Sequence, residues 1–397
     1  MTTAKLPRIR LNPGAHKRLK TGHPWIYSNE VVMDGVAKSL PPGSVITVED
    51  AGGAPLATAH FNPKPLISGR ILESKPDVVI NAEWYATRLG AALKLRQKIS
   101  SENYYRWVHA EGDNLPGLIV DRFGDVVVLQ PNTAGMDRAV PDIVTAIQKL
   151  IAPKAIVVRG DSSFRSLEGL DDATRVMLGE VSGPIEVRES GHTFFADLMG
   201  GQKTGWFFDQ RENRAFVATF AKSASVLDLY THTGGFAVSC AAAGAKSAVG
   251  VDGSALALEM ATKAAAANKL SHICTFQRAD VFDFLTAAMQ RRDKFDVVVA
   301  DPPAFVKSRK DLKPGLQGYR KLARMCAAVT APGGVLFIAS CSHNAPLNDF
   351  TEAVIRGISD ASRSGRILKT SGAGVDHPAH LQLPESAYLK ALTIALD

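Results

Sequence analysis

A chain of 397 residues, 46% of them hydrophobic and 21% charged, can bury sizeable cores, and at roughly 150 residues per domain it holds two or three of them. No apolar run is long enough to cross a bilayer and the stretch MTTAKLPRIRLNPGAHKRLK has no apolar signal core, so no membrane partner is expected and the expected location is cytoplasmic. The net charge of +7 is uneven: Lys5, Arg8, Arg10, Lys17, Arg18 and Lys20 crowd a stretch without one acid, which points to a polyanionic partner. A membrane surface fits less well, since Pro7, Pro13 and Pro24 break any amphipathic helix there.

Residues 1–75 are rich in short strand-like runs bounded by turn signals. Pro41-Pro42-Gly43-Ser44 precedes Val45-Ile46-Thr47-Val48 and Ala51-Gly52-Gly53-Ala54 follows it, the pattern of a small β-barrel. Over 76–185 helices (82–100 and 140–151) mix with strands (118–121, 126–130 and 155–159), a second, α+β unit. Residues 184–196 predict a hairpin. From 223 onward β-rich runs at 226–230, 248–252, 274–278, 295–300 and 335–339 alternate with helical stretches such as 255–268. Parallel strands joined by helices form an open α/β sheet with its site at the C-terminal strand ends.

Those ends carry the chemistry-bearing residues. The first runs Asp228-Leu229-Tyr230-Thr231-His232-Thr233-Gly234-Gly235-Phe236 into an Ala-rich helix, where paired glycines admit a ligand to the backbone and to the helix N-terminus. The second ends at Asp252, placed to accept both ribose hydroxyls of an adenosine; G-x-G-x-x-G is absent, which separates the chain from dinucleotide dehydrogenases. Asp280-Val281-Phe282 supplies an acid for an adenine amino group beside an apolar platform, and Asp280 equally reads as the N-cap of a helix over 282–290. The fourth end is Asp301-Pro302-Pro303-Ala304-Phe305, whose prolines fix the backbone beyond the carboxylate. The last is Ser340-Cys341-Ser342, a thiol just past the apolar part of its strand. Of the four cysteines, Cys240 and Cys326 fall in helices, the latter over 320–329, and Cys274 in an apolar strand, so these three read as core. No Cys/His spacing predicts a metal site, and His232 and His343 are given no catalytic role.

In order and spacing these motifs resemble the S-adenosylmethionine-dependent RNA cytosine-5 methyltransferases. More closely, the chain resembles the bacterial 23S rRNA cytosine-5 methyltransferases that carry an N-terminal PUA domain. Leu11-Asn12-Pro13-Gly14 with Gly22-His23-Pro24-Trp25-Ile26-Tyr27 is similar to the PUA start, Gly112-Asp113-Asn114-Leu115-Pro116-Gly117-Leu118 to the central domain, and Lys203-Thr204-Gly205-Trp206-Phe207-Phe208-Asp209-Gln210-Arg211 to the segment that helps close the cofactor pocket. The resemblance implies a Rossmann-like class I methyltransferase sheet (186–397, with the hairpin) preceded by a PUA barrel (1–75) and an α+β central domain (76–185). It implies S-adenosylmethionine as cofactor, on Asp228, Tyr230, Thr233, Gly234, Gly235, Phe236, Asp252, Asp280, Val281, Phe282, Asp301 and Gln210. RNA is the implied partner, 23S rRNA the expected one, held at Pro302, Pro303, Phe305, Lys307 and Arg309.

Carbon 5 of cytosine attacks a methyl sulfonium only after a nucleophile has added to carbon 6, and a thiolate is the side chain suited to add and leave again. Cys341 is the expected nucleophile, and Asp301 holds the pyrimidine edge and stabilises protonation at ring nitrogen 3. Ala304 stands where many relatives carry a second cysteine that assists product release, which assigns that step to another base or a water. Lys307, Arg309, Lys310 and Lys313, then Arg320, Lys321 and Arg324, are expected to position phosphates. Two other readings share these residues: methylation of another base position, such as an exocyclic amine, and an RNA-binding assembly factor with a vestigial pocket. A monomer and a homodimer are equally compatible with the sequence.

Overall fold

The computed structural model describes residues 5–162, 164–201 and 204–397, so Lys203 of the segment singled out above lies outside the described residues. Contacts divide the chain into two units, one of Met1–Gly183 with Leu198–Gly205 and Val375–Ser386, the other of Pro184–Asp197, Trp206–Gly374 and Ala387–Asp397.

The first unit holds two sheets. β1 (Arg8–Arg10), α1 (His16–Lys20), β2 (Trp25–Tyr27), α2 (Gly35–Ser39), β3 (Ser44–Glu49), β4 (Pro55–Phe61) and β5 (Ile67–Glu73) build a five-stranded sheet in the order β1-β3-β4-β5-β2. Ile9, Ile26, Ile46, Val48, Ala59 and Phe61 pack its core. The β3–β4 turn closes as its glycines require, with Asp50 Oδ1 accepting from Gly52 N and Ala54 N, both at 2.9 Å. The basic N-terminal cluster is partly neutralised by folding: Arg8 pairs with Asp77 at 2.8 Å and Arg18 with Glu30 at 2.5 Å, leaving Lys5, Lys17 and Lys20 exposed.

Next come α3 (Ala82–Ile99), β6 (Tyr104–His109), β7 (Leu118–Phe123), β8 (Val126–Pro131), α4 (Ala134–Arg138), α5 (Val140–Ile151), β9 (Ala155–Val158), α6 (Phe164–Glu168) and β10 (Arg175–Leu178). The second sheet has the order β10-β9-β8-β7-β6. Its two edges are the strands that periodicity does not reveal. β6 carries Arg106, which pairs with the buried Asp121 at 2.5 Å, and β10 is mostly exposed.

The second unit opens with the expected hairpin, β11 (Ile185–Glu189) and β12 (His192–Ala196). Ser190 and Gly191 turn it at φ 53° and 77°, the left-handed pair that suits a two-residue hairpin loop. Then follow α7 (Arg211–Ala218), β13 (Ser225–Leu229), α8 (Gly235–Ala242), β14 (Ser247–Asp252), α9 (Ala255–Ala267), β15 (Cys274–Arg278), α10 (Val281–Arg291), β16 (Phe295–Ala300), α11 (Leu312–Val329), β17 (Thr330–Ser340), α12 (Leu347–Asp360), β18 (Gly365–Ser371) and β19 (Lys390–Leu396). They form a seven-stranded sheet in the order β15-β14-β13-β16-β17-β19-β18, its first five strands parallel and β19 antiparallel to both neighbours. Leu227, Leu229, Val298, Leu336 and Ile338 from its centre pack with Leu322, Phe350 and Ile394. The strand order reverses between β13 and β16, and at such a switch point the strand ends diverge and leave a crevice.

Three expectations change. α11 starts at Leu312 rather than at 320, because Pro314 sits in its first turn, where no N–H is needed; Lys313 is therefore helical. β15 is an edge strand with Thr275, Gln277 and Arg278 exposed, so the strand of Cys274 is not apolar along its length. The run expected at 335–339 extends over Thr330–Ser340 and gains an antiparallel partner. Among the described residues no helix is long and apolar enough to cross a membrane, and no group of three or more His, Cys, Asp or Glu gathers as metal ligands.

Candidate active site

After Leu229 the chain turns sharply into α8. Tyr230 (φ 60°), His232 (φ 49°) and Gly234 (φ 83°) adopt the left-handed region. For the two that are not glycine this costs of order 1–3 kcal/mol each, so the surroundings must hold them. Two acids do so. The buried Asp228 carboxylate accepts from Thr231 Oγ1 at 2.5 Å and from Ala237 N at 2.9 Å. Asp252 Oδ2 accepts from His232 N at 3.0 Å and its Oδ1 from Ser254 N at 2.8 Å. Gly234 caps α8 at a backbone angle that disfavours side chains, and a Cβ there would lie 3.0 Å from that of Ala261. Thr233 and Gly235 are buried, and Phe236 packs its ring on Phe337 with centroids 5.1 Å apart, so Gly235 and Phe236 present backbone rather than side chains.

Burial pushes the Asp228 carboxyl up to about 7, against the hydrogen bonds from Thr231 and Ala237. Its folded value lies above its ordinary one, so the folded state retains a proton that the unfolded chain has lost. Stability from this group is therefore present below about pH 4 and is lost as pH rises toward 7. Asp228→Asn is expected to flatten that slope, by a few kcal/mol across the window. Thermal melting from pH 5 to 8 without added ligand measures it; parallel wild-type and variant slopes would count against a protonated Asp228.

Further along the sheet, Asp280 is the N-cap of α10, its Oδ1 accepting from Phe282 N at 2.8 Å and Asp283 N at 3.1 Å. The carboxylate is exposed and commits one oxygen to the cap. Val281 is core, whereas Phe282 is half-buried with Lys321 Nζ 4.6 Å from its ring centre. Gln210, just before α7, is buried with Oε1 accepting from Asn213 Nδ2 at 2.7 Å. Its segment is pinned by Glu189: Arg214 donates to that carboxylate at 2.7 and 2.8 Å and Trp206 Nε1 at 3.2 Å. Burial raises Glu189, but Arg214 and Arg211 outweigh it and hold the carboxyl below its ordinary value.

Of the four cysteines, Cys240, Cys274 and Cys326 are buried and Cys341 is half-exposed. Burial pushes the Cys240 and Cys326 thiols far up and that of Cys274 up to about 11, so none of the three is a nucleophile near neutral pH. β16 and β17 are neighbours, with Ala300 opposite Ile338, so Asp301 and Cys341 leave the sheet on adjacent strands. Cys341 Sγ lies 4.0 Å from the Pro302 carbonyl oxygen. The flanking serines are buried anchors. Ser340 Oγ and Ser342 Oγ each lie 2.8 Å from Tyr319 OH, and Ser342 Oγ accepts from Val306 N at 3.1 Å.

The same packing redefines Phe305, whose half-buried ring lies against Tyr319 with centroids 4.7 Å apart. Gly315 makes the approach possible, since a Cβ there would come 2.4 Å from Val306 Cγ2. Pro302 is buried and Pro303 exposed. Lys307, Arg309, Lys310 and Lys313 are exposed and form no ion pair among the described residues, whereas Arg320 pairs with Asp360 at 2.6 Å. Asn344 Nδ2 donates to Lys307 O at 3.1 Å, tying this basic surface to the Cys341 turn.

Sequence reasoning misses two residues here. Tyr319 has no signal, because an aromatic on an amphipathic helix reads as core. Lys390 has one, a lone cation at the head of the apolar run ALTIAL. Its buried Nζ donates to Ser342 O at 2.7 Å and Ala345 O at 2.9 Å, beneath the turn that carries Cys341.

A mainly parallel sheet of this order with one antiparallel strand, and with acids at successive strand ends, is the class I methyltransferase fold. The family model for S-adenosylmethionine-dependent methyltransferases matches residues 146–361, and that for a PUA-like domain matches 9–74. The chain belongs to the S-adenosylmethionine-dependent methyltransferase family, and S-adenosylmethionine is its cofactor. A protein of Erwinia tasmaniensis named ribosomal RNA large subunit methyltransferase I is 34% identical over 389 residues, covering 96% of this chain and 98% of that protein. The protein of that name from Tolumonas auensis is 34% identical over 393 residues, covering 97% and 98%. Among solved structures, a provisionally named SAM-dependent methyltransferase from Streptococcus mutans superposes with a TM-score of 0.82 at 21% identity, covering 98% of this chain and 100% of that one. A provisionally named methyltransferase complexed with SAH superposes at 0.83, with the same identity and coverage.

The strand ends fit such a cofactor. Asp252 is half-exposed, is oriented by two backbone N–H groups and keeps acceptor capacity on both oxygens, as a vicinal diol requires.

Proposed function

We propose that this protein methylates carbon 5 of a cytosine in RNA, with 23S rRNA as substrate, through a transient bond between Cys341 Sγ and carbon 6 of the base. The observation that carries the reading is the half-exposed Cys341 beside the Asp301-Pro302-Pro303 turn, with every other thiol buried. The names of the relatives support ribosomal RNA, and the PUA-like match at 9–74 supports an RNA-binding role for residues 1–75. Residues 76–185 form the central α+β domain and 186–397 the methyltransferase domain in this reading.

When bound, S-adenosylmethionine supplies an electrophilic methyl group. Asp252 would accept from its ribose hydroxyls, the α8 N-terminus and the Tyr230–Phe236 backbone would line its site, and Phe282 with the second oxygen of Asp280 would receive the adenine. Gln210 acts from beneath by holding the α7 start in place. Cys341 adds through Sγ to carbon 6 while Asp301 stabilises protonation at nitrogen 3, and carbon 5 thereby gains the electron density to take the methyl group. Loss of the carbon 5 proton to a base then expels Sγ. Pro302 and Pro303 set the wall of the pyrimidine site, Phe305 braces that wall, and Lys307 and Arg309 meet phosphates. The target base must leave its stack to reach Cys341.

Nucleoside digestion and bisulfite sequencing of 23S rRNA from a strain lacking the protein test the assignment. The expected result is loss of 5-methylcytidine at one position, restored by the wild-type gene. Loss of a different methylated nucleoside would replace the assignment with another base position.

A further inference from the structure

Lys390 is the first residue of β19, and its backbone pairs with Ser340 at the end of β17. Its side chain is 9% exposed, and Nζ is held by the carbonyls of Ser342 and Ala345. No carboxylate lies within ion-pair distance of it among the described residues. A buried ammonium without a counter-ion is expensive, and two carbonyl acceptors solvate it only in part. A hydrophobic residue at position 390 would close this end of the sheet at lower cost. The cation therefore calls for an anion close by, and the residue between its two strand-end neighbours, Ser340 and Ser342, is Cys341.

The other titratable groups around the turn do not supply that anion. Tyr319, from α11, is a buried phenol occupied by Ser340 and Ser342, and burial raises it. His343 stacks on Tyr388 with ring centroids 5.2 Å apart, and Tyr388 OH donates to Asp209. Asp301 stands on the neighbouring strand end, and Lys307 meets the turn through its carbonyl.

We propose that Lys390 is the positioning residue of the nucleophile: its ammonium clamps the 342–345 turn from below and supplies the fixed positive charge that favours the Cys341 thiolate. Burial lowers Lys390, and a charged Cys341 raises it. The coupling is reciprocal, so whatever the thiolate does for the ammonium the ammonium does for the thiolate. Ionisation of Cys341 passes its proton to solvent and places a negative charge in the field of the buried cation. This inference rests on the reading of Cys341 as nucleophile.

The test uses the full chain and needs neither RNA nor turnover. Iodoacetamide alkylation is followed against pH, with peptide mapping to confirm Cys341 as the modified thiol. In the wild type the rate should inflect at least one unit below the ordinary thiol value of about 8.5. Lys390→Gln, which keeps a donor for the carbonyls but not the charge, should move the inflection up by a unit or more, and Lys390→Arg should keep most of the shift. The acidic limb of kcat against pH should move in step. A wild-type inflection at or above that of a free thiol overturns the proposal whether or not the variants fold. So does an unchanged inflection in a folded Lys390→Gln protein. If Cys341→Ala still methylated RNA, the nucleophile reading would fall, while the alkylation profile would continue to report on Lys390.

Discussion

Cys341→Ala is expected to lower methyl transfer at least about a thousandfold, the scale on which removing a covalent nucleophile acts, while S-adenosylmethionine affinity stays near wild type. Cys341→Ser should be equally inactive, since a hydroxyl is barely ionised near neutral pH. Substituting 5-fluorocytosine in the RNA sharpens the test. Fluorine at carbon 5 cannot leave as a proton, so the wild type should be trapped as a denaturant-resistant adduct whose crosslinked peptide contains Cys341. Burial already argues against Cys240 and Cys326 as the crosslinked residue, because both thiols are pushed far up and have no exposed face. A crosslink at either, or normal turnover without any adduct, would refute the mechanism. Ala304→Cys should not rescue Cys341→Ser, because position 304 lies beyond the end of β16 and Cys341 beyond that of β17.

Asp252→Ala should weaken S-adenosylmethionine about tenfold or more, from the roughly 1.5–3 kcal/mol that hydrogen bonds to a charged group contribute. The substitution also releases His232 N and Ser254 N, and with them the left-handed backbone at His232. Asp252→Asn separates the two effects: one carboxamide oxygen can still accept from His232 N, so its loss of affinity should be smaller. Calorimetric titration gives both numbers. An unchanged dissociation constant in Asp252→Ala would remove this carboxylate from the cofactor site.

The strand ends are legible in the sequence because parallel strands buried on both faces are short apolar runs, and each stops at a residue that cannot be core. Asp252, Asp301 and Cys341 follow from that rule, whereas Asp228 lies one residue before the end of β13 and is buried. β15 and β16 match their expected spans, and β13 and β14 shift by a residue. β18 and β19 escape it. β18 is exposed along most of its length, and β19 is recruited by pairing with β17, a contact that no local pattern encodes. The support of the site escapes for the same reason. Tyr319 and Lys390 lie far along the chain from Asp301 and reach the Cys341 turn only once the sheet has assembled. Charge counting misleads where partners are distant: Arg8, Arg18 and Arg320 look like polyanion contacts until Asp77, Glu30 and Asp360 fold against them.

β19 is made after β18 yet lies between β17 and β18 in the sheet. During synthesis on the ribosome, β17 and β18 therefore emerge with no strand to join them, and the free edge of β17 stays open until the later strand inserts. The residue that leads β19 is Lys390, so the clamp under the Cys341 turn arrives with the strand that completes the sheet. A nascent chain that has already exposed Cys341 still lacks the side chain that holds the 342–345 turn. Assembly of the turn that carries Cys341 is thereby tied to closure of the whole sheet.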